Sequence, residues 1–241
     1  MKIKILCALL TGIAYCFNSQ PASAADVETG FQPMFNGTNL TGWSGDPDLW
    51  SATNGVIKGQ STIEHPVKVN TFLIWTNGTT TDFELRTSFR IASNNDKGFA
   101  NSGIQYRSTV LNMTNWSVGG YQADMEAGQN YSGILYEERM TRGIMATRGE
   151  KVVWDKECKK QVAGSVGNSA EIQATIKKED WNEYVIVARG NHLQHFINGK
   201  QTVDVTDECE SKAAKSGVLA LQIHVGGPMT VEFKNIRIKS F

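Results

Sequence analysis

Apolar and polar residues alternate with period two through most of this chain. In Phe83-Glu-Leu-Arg-Thr-Ser-Phe-Arg90, Phe83, Leu85 and Phe89 fall on one side and Glu84, Arg86 and Arg90 on the other. That is the signature of a strand with one buried face. Similar β-rich runs occupy 56–58, 72–75, 83–91, 103–107, 121–125, 134–137, 144–147, 151–154, 171–175, 182–189, 192–197, 201–205, 217–225 and 231–239. Turn residues separate them, among them Asn54-Gly55, Asn77-Gly78, Gly119-Gly120 and Asn198-Gly199. The run 192–197, Asn198-Gly199, then 200–205 predicts a hairpin, because Asn-Gly favours a type I′ turn. Helical periodicity is nearly absent, with one helical turn expected near 207–215. So many short strands predict an all-β sandwich of two packed sheets.

Three of these runs carry polar side chains where a core strand carries apolar ones. They are Asn101-Ser-Gly-Ile-Gln-Tyr-Arg107, Gly120-Tyr-Gln-Ala-Asp-Met-Glu126 and Gly133-Ile-Leu-Tyr-Glu-Glu-Arg139. Alternation puts Gln105 with Arg107 on one face, and Gln122 with Asp124 and Glu126 on one face. In 217–225, Leu219, Leu221 and Ile223 share the core side, and Gln222 and His224 the other. Such a face is either a solvated surface or the floor of a site for a polar ligand.

Residues 1–24 read as a secretory leader rather than as part of the fold. Lys2 and Lys4 precede an apolar stretch from Ile5 to Phe17, and Ala22-Ser23-Ala24 fits a cleavage site. That stretch is shorter than the roughly 20 residues a bilayer span needs. An exported protein, periplasmic or secreted, with no membrane span and a single domain over 25–241, is therefore expected. Setting Lys2 and Lys4 aside leaves 22 basic residues of the chain's 24, against 24 acidic ones, a net charge of −2. That argues against nucleic acid as a partner. Cys7 and Cys16 fall in the leader, leaving Cys158 and Cys209. In an oxidising compartment this pair is expected to form a disulfide, with two free buried thiols as the alternative.

Several motifs, in order, resemble the 3-keto-disaccharide hydrolase domain family. Phe35-Asn-Gly-Thr-Asn-Leu-Thr-Gly-Trp43 is similar to its opening FNG-x-x-L-x-GW, and Asn101-Ser-Gly-Ile-Gln-Tyr-Arg107 to its NSG-I-x-x-R. Gly120 to Asp124 and Gly133 to Glu138 resemble its central block. Trp181-Asn182, Asn198-Gly199, Leu221 to His224 and Phe233 to Arg237 resemble its later strands. The resemblance covers about 31–241. It implies a concanavalin-A-like jelly-roll sandwich and chemistry on 3-keto-glycosides, by hydrolysis or by a lyase step followed by hydration.

A ketone at C3 of a glycoside acidifies the proton at C2. A base can remove that proton, the C1 leaving group can depart by β-elimination, and water can then add. Such a site needs a base, an acid for the departing oxygen, and stabilisation of the developing enediolate. The candidates are His224 or Asp124 as base and Glu138 or Glu137 as acid. Arg107 would clamp the enolate or a hydroxyl, and Gln122, Tyr136 and Gln222 would bind hydroxyls. Glu137 and Glu138 point to opposite faces, so at most one reaches the site directly. Trp116, in a polar loop between site strands, is a candidate stacking platform.

His224, Asp124 and Glu138 would offer a divalent metal ion two oxygens and one nitrogen, and the enediolate would welcome one. Their dispersion along the chain does not decide for such a cofactor. No G-x-S-x-G elbow and no G-x-G-x-x-G fingerprint occurs, which argues against a serine triad and nicotinamide. A separate oxidoreductase must then supply the oxidised sugar. The alternative function is a carbohydrate-binding jelly-roll module without turnover, since the architecture serves both. An ordinary two-carboxylate glycosidase is the third reading.

Overall fold

The computed structural model describes residues 28–241, so the leader expected over 1–24 lies outside it. The strands are β1 (Gln32–Pro33), β2 (Trp43–Ser44), β3 (Trp50–Thr53), β4 (Val56–Ser61), β5 (Thr71–Trp75), β6 (Phe83–Ser93), β7 (Asn101–Asn112), β8 (Ser117–Glu126), β9 (Leu135–Glu138), β10 (Gly143–Ala146), β11 (Glu150–Trp154), β12 (Lys160–Ser165), β13 (Asn182–Arg189), β14 (His192–Ile197), β15 (Lys200–Asp207), β16 (Val218–Ile223) and β17 (Met229–Ser240), with one helix, α1 (Ser169–Ala174). They form two sheets of a jelly-roll sandwich. The larger, ten-stranded sheet runs β12-β11-β15-β14-β13-β6-β17-β4-β3, with β1 paired to β17. The smaller runs β10-β9-β8-β7-β16-β5-β2. Among the described residues the pairing is antiparallel except between β11 and β15. No helix among these residues is long and apolar enough to cross a membrane.

The inner faces meet as the alternation requires. Phe83, Leu85 and Phe89 of the larger sheet pack in one core with Ile104, Tyr106, Tyr121, Leu219 and Leu221 of the smaller. At its centre His195 is fully buried, and burial pushes its pKa down to about 3. The ring is therefore neutral, with its Nε2 3.0 Å from the Tyr106 hydroxyl. Truncating a fully packed side chain here, such as Leu221→Ala, would cost about 2–5 kcal/mol.

The Asn198-Gly199 hairpin forms between β14 and β15, with φ of 49° and 76° at its two turn residues. Residues 171–175, read as a strand, instead form the end of α1, with Thr175 as its C-cap. Asn168 caps that helix by accepting from the amides of Ala170 and Glu171 at 2.9 and 3.2 Å. Only Ile172 of the helix is buried, and five alternating residues fit one helical turn as well as a strand. The helical turn expected near 207–215 is a single turn: Asp207 ends β15, and the amides of Lys212 and Ala213 both donate to the Cys209 carbonyl, at 2.9 and 2.8 Å, in a segment tied by the Cys158–Cys209 disulfide.

Candidate functional site

The smaller sheet is covered on its outer side as well as its inner one, and there its polar residues gather. A cavity of ≈ 390 Å³ opens on that outer face. Its lining includes Asn70, Asn101, Gln122, Asp124, Tyr136, Glu138 and His224, with Phe99, Tyr131, Ile134 and Ile144. Strand register sets this arrangement. Gln122 stands opposite Gln105 on one side and Tyr136 on the other, and Asp124 stands opposite Gly103.

Gly103 is essential to the floor. A Cβ at that position would lie 2.5 Å from Gln122 Cγ and 2.6 Å from its Cδ. Without one, the Gln122 side chain lies across the strand, and a chain of amides forms. Ser108 donates to Gln105 Oε1 at 2.6 Å, and the Gln105 amide donates to Gln122 Oε1. The Gln122 amide donates to Asp124 Oδ1, with Gln222 Oε1 at 3.4 Å. Gln222 in turn donates to Glu138 Oε2 at 3.2 Å. Every member is buried, so each hydrogen bond replaces one that water would have made.

Asp124 is 5% exposed. Burial pushes its pKa up to about 8, and the Glu138 and Glu126 carboxylates add to the rise. Hydrogen bonds from Gln122 and Asn101 act the other way but do not outweigh burial. At pH 7 Asp124 is mostly protonated, so it is an acid with a proton to give. Glu138 is surrounded by donors instead. Asn70 Nδ2 reaches its two oxygens at 3.1 and 3.3 Å, and Arg139 Nε lies 3.5 Å away. Such a carboxylate is placed to accept hydroxyls. Burial and these two carboxyl groups hold the Tyr136 hydroxyl above the usual phenol range, so it remains a donor.

His224 is half-buried and packs edge-on against Phe99, with ring centroids 5.6 Å apart. Its Nδ1 lies 2.6 Å from the Val225 carbonyl oxygen. A carbonyl can only accept, so this contact places the proton on Nδ1. In the neutral ring the Nε2 lone pair is then free, which is the form a base requires.

Five sequence candidates, Gln122, Asp124, Tyr136, Glu138 and His224, thus line one cavity. Gln222 sits fully buried behind them and reaches the cavity through Glu138. Glu137 faces inward, as the alternation of neighbouring residues requires. It accepts from Arg142 at 2.6 Å, and Arg142 also bonds Asp207 at 2.8 Å, a buried ion cluster between the sheets.

Arg107 does not reach the site. A bulge breaks the β7–β8 register after Tyr106, and φ at Arg107 is 46°. The bulge turns its side chain to the Thr81 and Gly190 carbonyls, both at 2.6 Å, and to Asp82 at 2.8 Å. The expectation that Gln105 and Arg107 share a face fails for that reason. Trp116 lies outside the cavity lining. Its indole donates to Ser44 at 3.1 Å, and its ring packs on a small apolar cluster of Phe72, Ile74, Val118 and Ala220.

Sequence reasoning had not singled out Asn70, Phe99, Tyr131, Ile134 or Ile144. Asn70 is a single polar residue before β5, and it enters the site by bonding both Glu138 and the Val225 amide. The motif Asn101-Ser-Gly carried a signal for Asn101, whose side chain bonds Asp124. Among the described residues, no three His, Cys, Asp or Glu side chains converge to hold a metal ion. Asp124, Glu138 and His224 share the cavity without forming the three-ligand set that their types would allow.

Among curated proteins none matches the chain in sequence. Solved structures share its fold. A protein of Parabacteroides distasonis ATCC 8503 described as a "putative glycosyl hydrolase" superposes with a TM-score of 0.57 at 18% identity, over 88% of this chain and 99% of that one. The carbohydrate-binding module CBM66 of Bacillus subtilis gives 0.53 at 14% identity, over 83% and 96%. A Bacillus subtilis protein with a galectin-like fold gives 0.50 at 8% identity, over 87% and 94%. At these identities the likeness is one of fold. Residues 30–239 match the 3-keto-alpha-glucoside-1,2-lyase-like domain, and the chain belongs to that carbohydrate-related family.

Proposed function

We propose that this protein cleaves 3-keto-glycosides by elimination followed by hydration. The observation that carries this reading is the placing, in one cavity, of the buried Asp124 carboxyl with a His224 ring whose Nδ1 is bound to the Val225 carbonyl. His224 Nε2 takes the C2 proton, and the C2 electron pair moves toward the C3 ketone to give an enediolate. The imidazolium formed beside it offsets the new negative charge. As the enediolate collapses, C1=C2 forms and the C1–O bond breaks, and Asp124 gives its proton to the departing oxygen. For hydration Asp124, now a carboxylate, takes a proton from water as the hydroxyl joins C1. His224 returns its proton to C2, and the net reaction is hydrolysis. Glu138 accepts from sugar hydroxyls, and Tyr136 donates to them.

The C3 ketone must be made beforehand by an oxidation, which falls to a separate oxidoreductase. Export is part of the proposal. The leader-like residues 1–24 support it, as does a disulfide between Cys158 and Cys209, a bond favoured in oxidising compartments.

The test is release of a chromogenic alcohol from a 3-keto-glucoside, beside its unoxidised counterpart, in normal and heavy water. Release from the keto compound alone, with solvent deuterium entering C2, is expected. His224→Ala should lower kcat by about 10²- to 10⁴-fold. The likeness to CBM66 in fold supports a second reading, a binding module. Saturable sugar binding with no release and no exchange at C2 would establish that reading and overturn the enzyme.

A further inference from the structure

The cavity has two chemically different sides. Asn70 bonds both Glu138 and the Val225 amide beside His224, so these polar residues stand together, with Phe99 packed on His224 and Asp124 also in the lining. Tyr131, Ile134, Tyr136 and Ile144 form a second group, Ile144 paired with Tyr136 and the Ile134 amide bonded to the Tyr131 carbonyl. Two of these apolar side chains are left in water: Tyr131 is 41% exposed and Ile144 is 41% exposed. Large apolar groups left uncovered beside a polar pocket mark where a ligand is expected to cover them.

The wall is held in place before any ligand arrives. Ile144 of β10 pairs directly with Tyr136 of β9, so the two side chains stand next to each other. The Tyr131 amide is fixed by the Glu126 carboxylate at 2.7 Å, and its carbonyl accepts from the Ile134 amide at 3.2 Å. The turn then closes through Gly133, whose φ is 85° and whose position leaves no room for a Cβ beside Thr202. A wall fixed in this way loses little entropy when a ring settles on it.

We infer that the site takes glycosides whose leaving group is a flat, apolar alcohol, an aryl aglycone seated against Tyr131, Tyr136 and Ile144. This rests on the proposed seat for the sugar. With C2 facing His224 and the C1 oxygen facing Asp124, the group on C1 extends away from His224, toward the apolar wall. A second sugar there would need hydrogen-bonding partners. Ile134 and Ile144 have none, and the Tyr136 hydroxyl is already engaged by the first sugar.

The test separates the leaving-group seat from the chemistry. Binding of unoxidised phenyl glucoside, methyl glucoside and a glucosyl disaccharide is measured by calorimetry on the wild-type protein, on Ile144→Ser and on Tyr131→Ser. Thermal unfolding checks that both variants remain folded. Phenyl glucoside is expected to bind about ten-fold more tightly than methyl glucoside, and each variant to cut that ratio several-fold. Equal binding of phenyl and methyl glucosides, tighter binding of the disaccharide, or an unchanged ratio in both variants would overturn the aryl seat. Turnover of the matching 3-keto-glucosides is measured alongside. A phenyl preference in binding with no turnover of any keto compound would leave the aryl seat standing and overturn the elimination reading alone.

Discussion

The outer faces of the two sheets solve one problem in opposite ways. On the larger sheet the outward residues are charged and wet. Along β6 buried and part-exposed positions alternate without a break until the strand's end, and Arg90 pairs with Glu232 of β17 across that face. Arg237 likewise pairs with Glu183 at 3.0 Å. On the smaller sheet nine of the ten residues of β8 are buried, and on its outer face Gln122 is joined amide to amide with Gln105 of β7 and Gln222 of β16. Charges that stay in water need no particular partner. Polar groups that leave water need every one of theirs, and that requirement fixes geometry. The rigid, amide-lined face is the one that can hold a carboxyl group in its protonated form.

Changes on the two faces should therefore differ in size. The largest effect is expected at Asp124. Asp124→Asn should lower turnover by about 10²- to 10⁴-fold in steady-state assays. Its effect on stability has the opposite sign. The folded-state pKa of about 8 lies above the ordinary 3.8, so between these values the folded state holds a proton that the unfolded chain has released. Wild-type stability then falls as pH rises from about 4 to 8, and the variant escapes that loss. Denaturant titrations should show Asp124→Asn gaining on wild type by on the order of a few kcal/mol between pH 5 and 8. Consistent with an acid role, wild-type kcat/KM should fall as pH rises through about 8. A profile that instead rises to a plateau there would make Asp124 the base.

Next in size is Gly103→Ala, whose new methyl meets Gln122. A loss of about 1–3 kcal/mol is expected, as for other overpacked sites. Adding Gln122→Ala should return part of it, and a double-mutant cycle reads the coupling. Gln105→Leu should come next, at about 1–3 kcal/mol, because it takes the donor from Gln122 Oε1 in a dry face, whereas Ser108 keeps the Tyr106 carbonyl at 3.1 Å. On the wet sheet, Arg90→Ala should change stability by less than about 1 kcal/mol, the usual worth of an exposed pair. A loss at Arg90 as large as the loss at Gln105 would erase the contrast between the two faces.

Alternation made much of this legible in the sequence. It placed Phe83, Leu85 and Phe89 in the core and set Glu137 and Glu138 on opposite faces. The Asn-Gly pair marked the hairpin of β14 and β15. What it could not carry were the places where the backbone leaves period two. The bulge at Arg107 moved a cation from one face to another, and nothing in Tyr-Arg-Ser announces a positive φ. Residues 171–175 alternate like a strand, and the capping Asn168 was the overlooked sign of a helix. Asn70 was invisible because it joins the site from a loop, through contacts more than sixty residues away in sequence. The apolar wall was hidden for a simpler reason: Ile134 and Ile144 read as ordinary strand residues until the fold set them, with Tyr136, beside a polar floor.

The absent side chain at Gly103 bears on how this family can change over time. A substitution that adds a carbon there collides with Gln122, and one that removes Gln122 breaks the amide chain to Asp124. The two positions should therefore drift together. Among relatives, a larger residue at the first should be accompanied by a shorter one at the second, and lineages that have lost the pair should also have lost a carboxyl group at the position of Asp124.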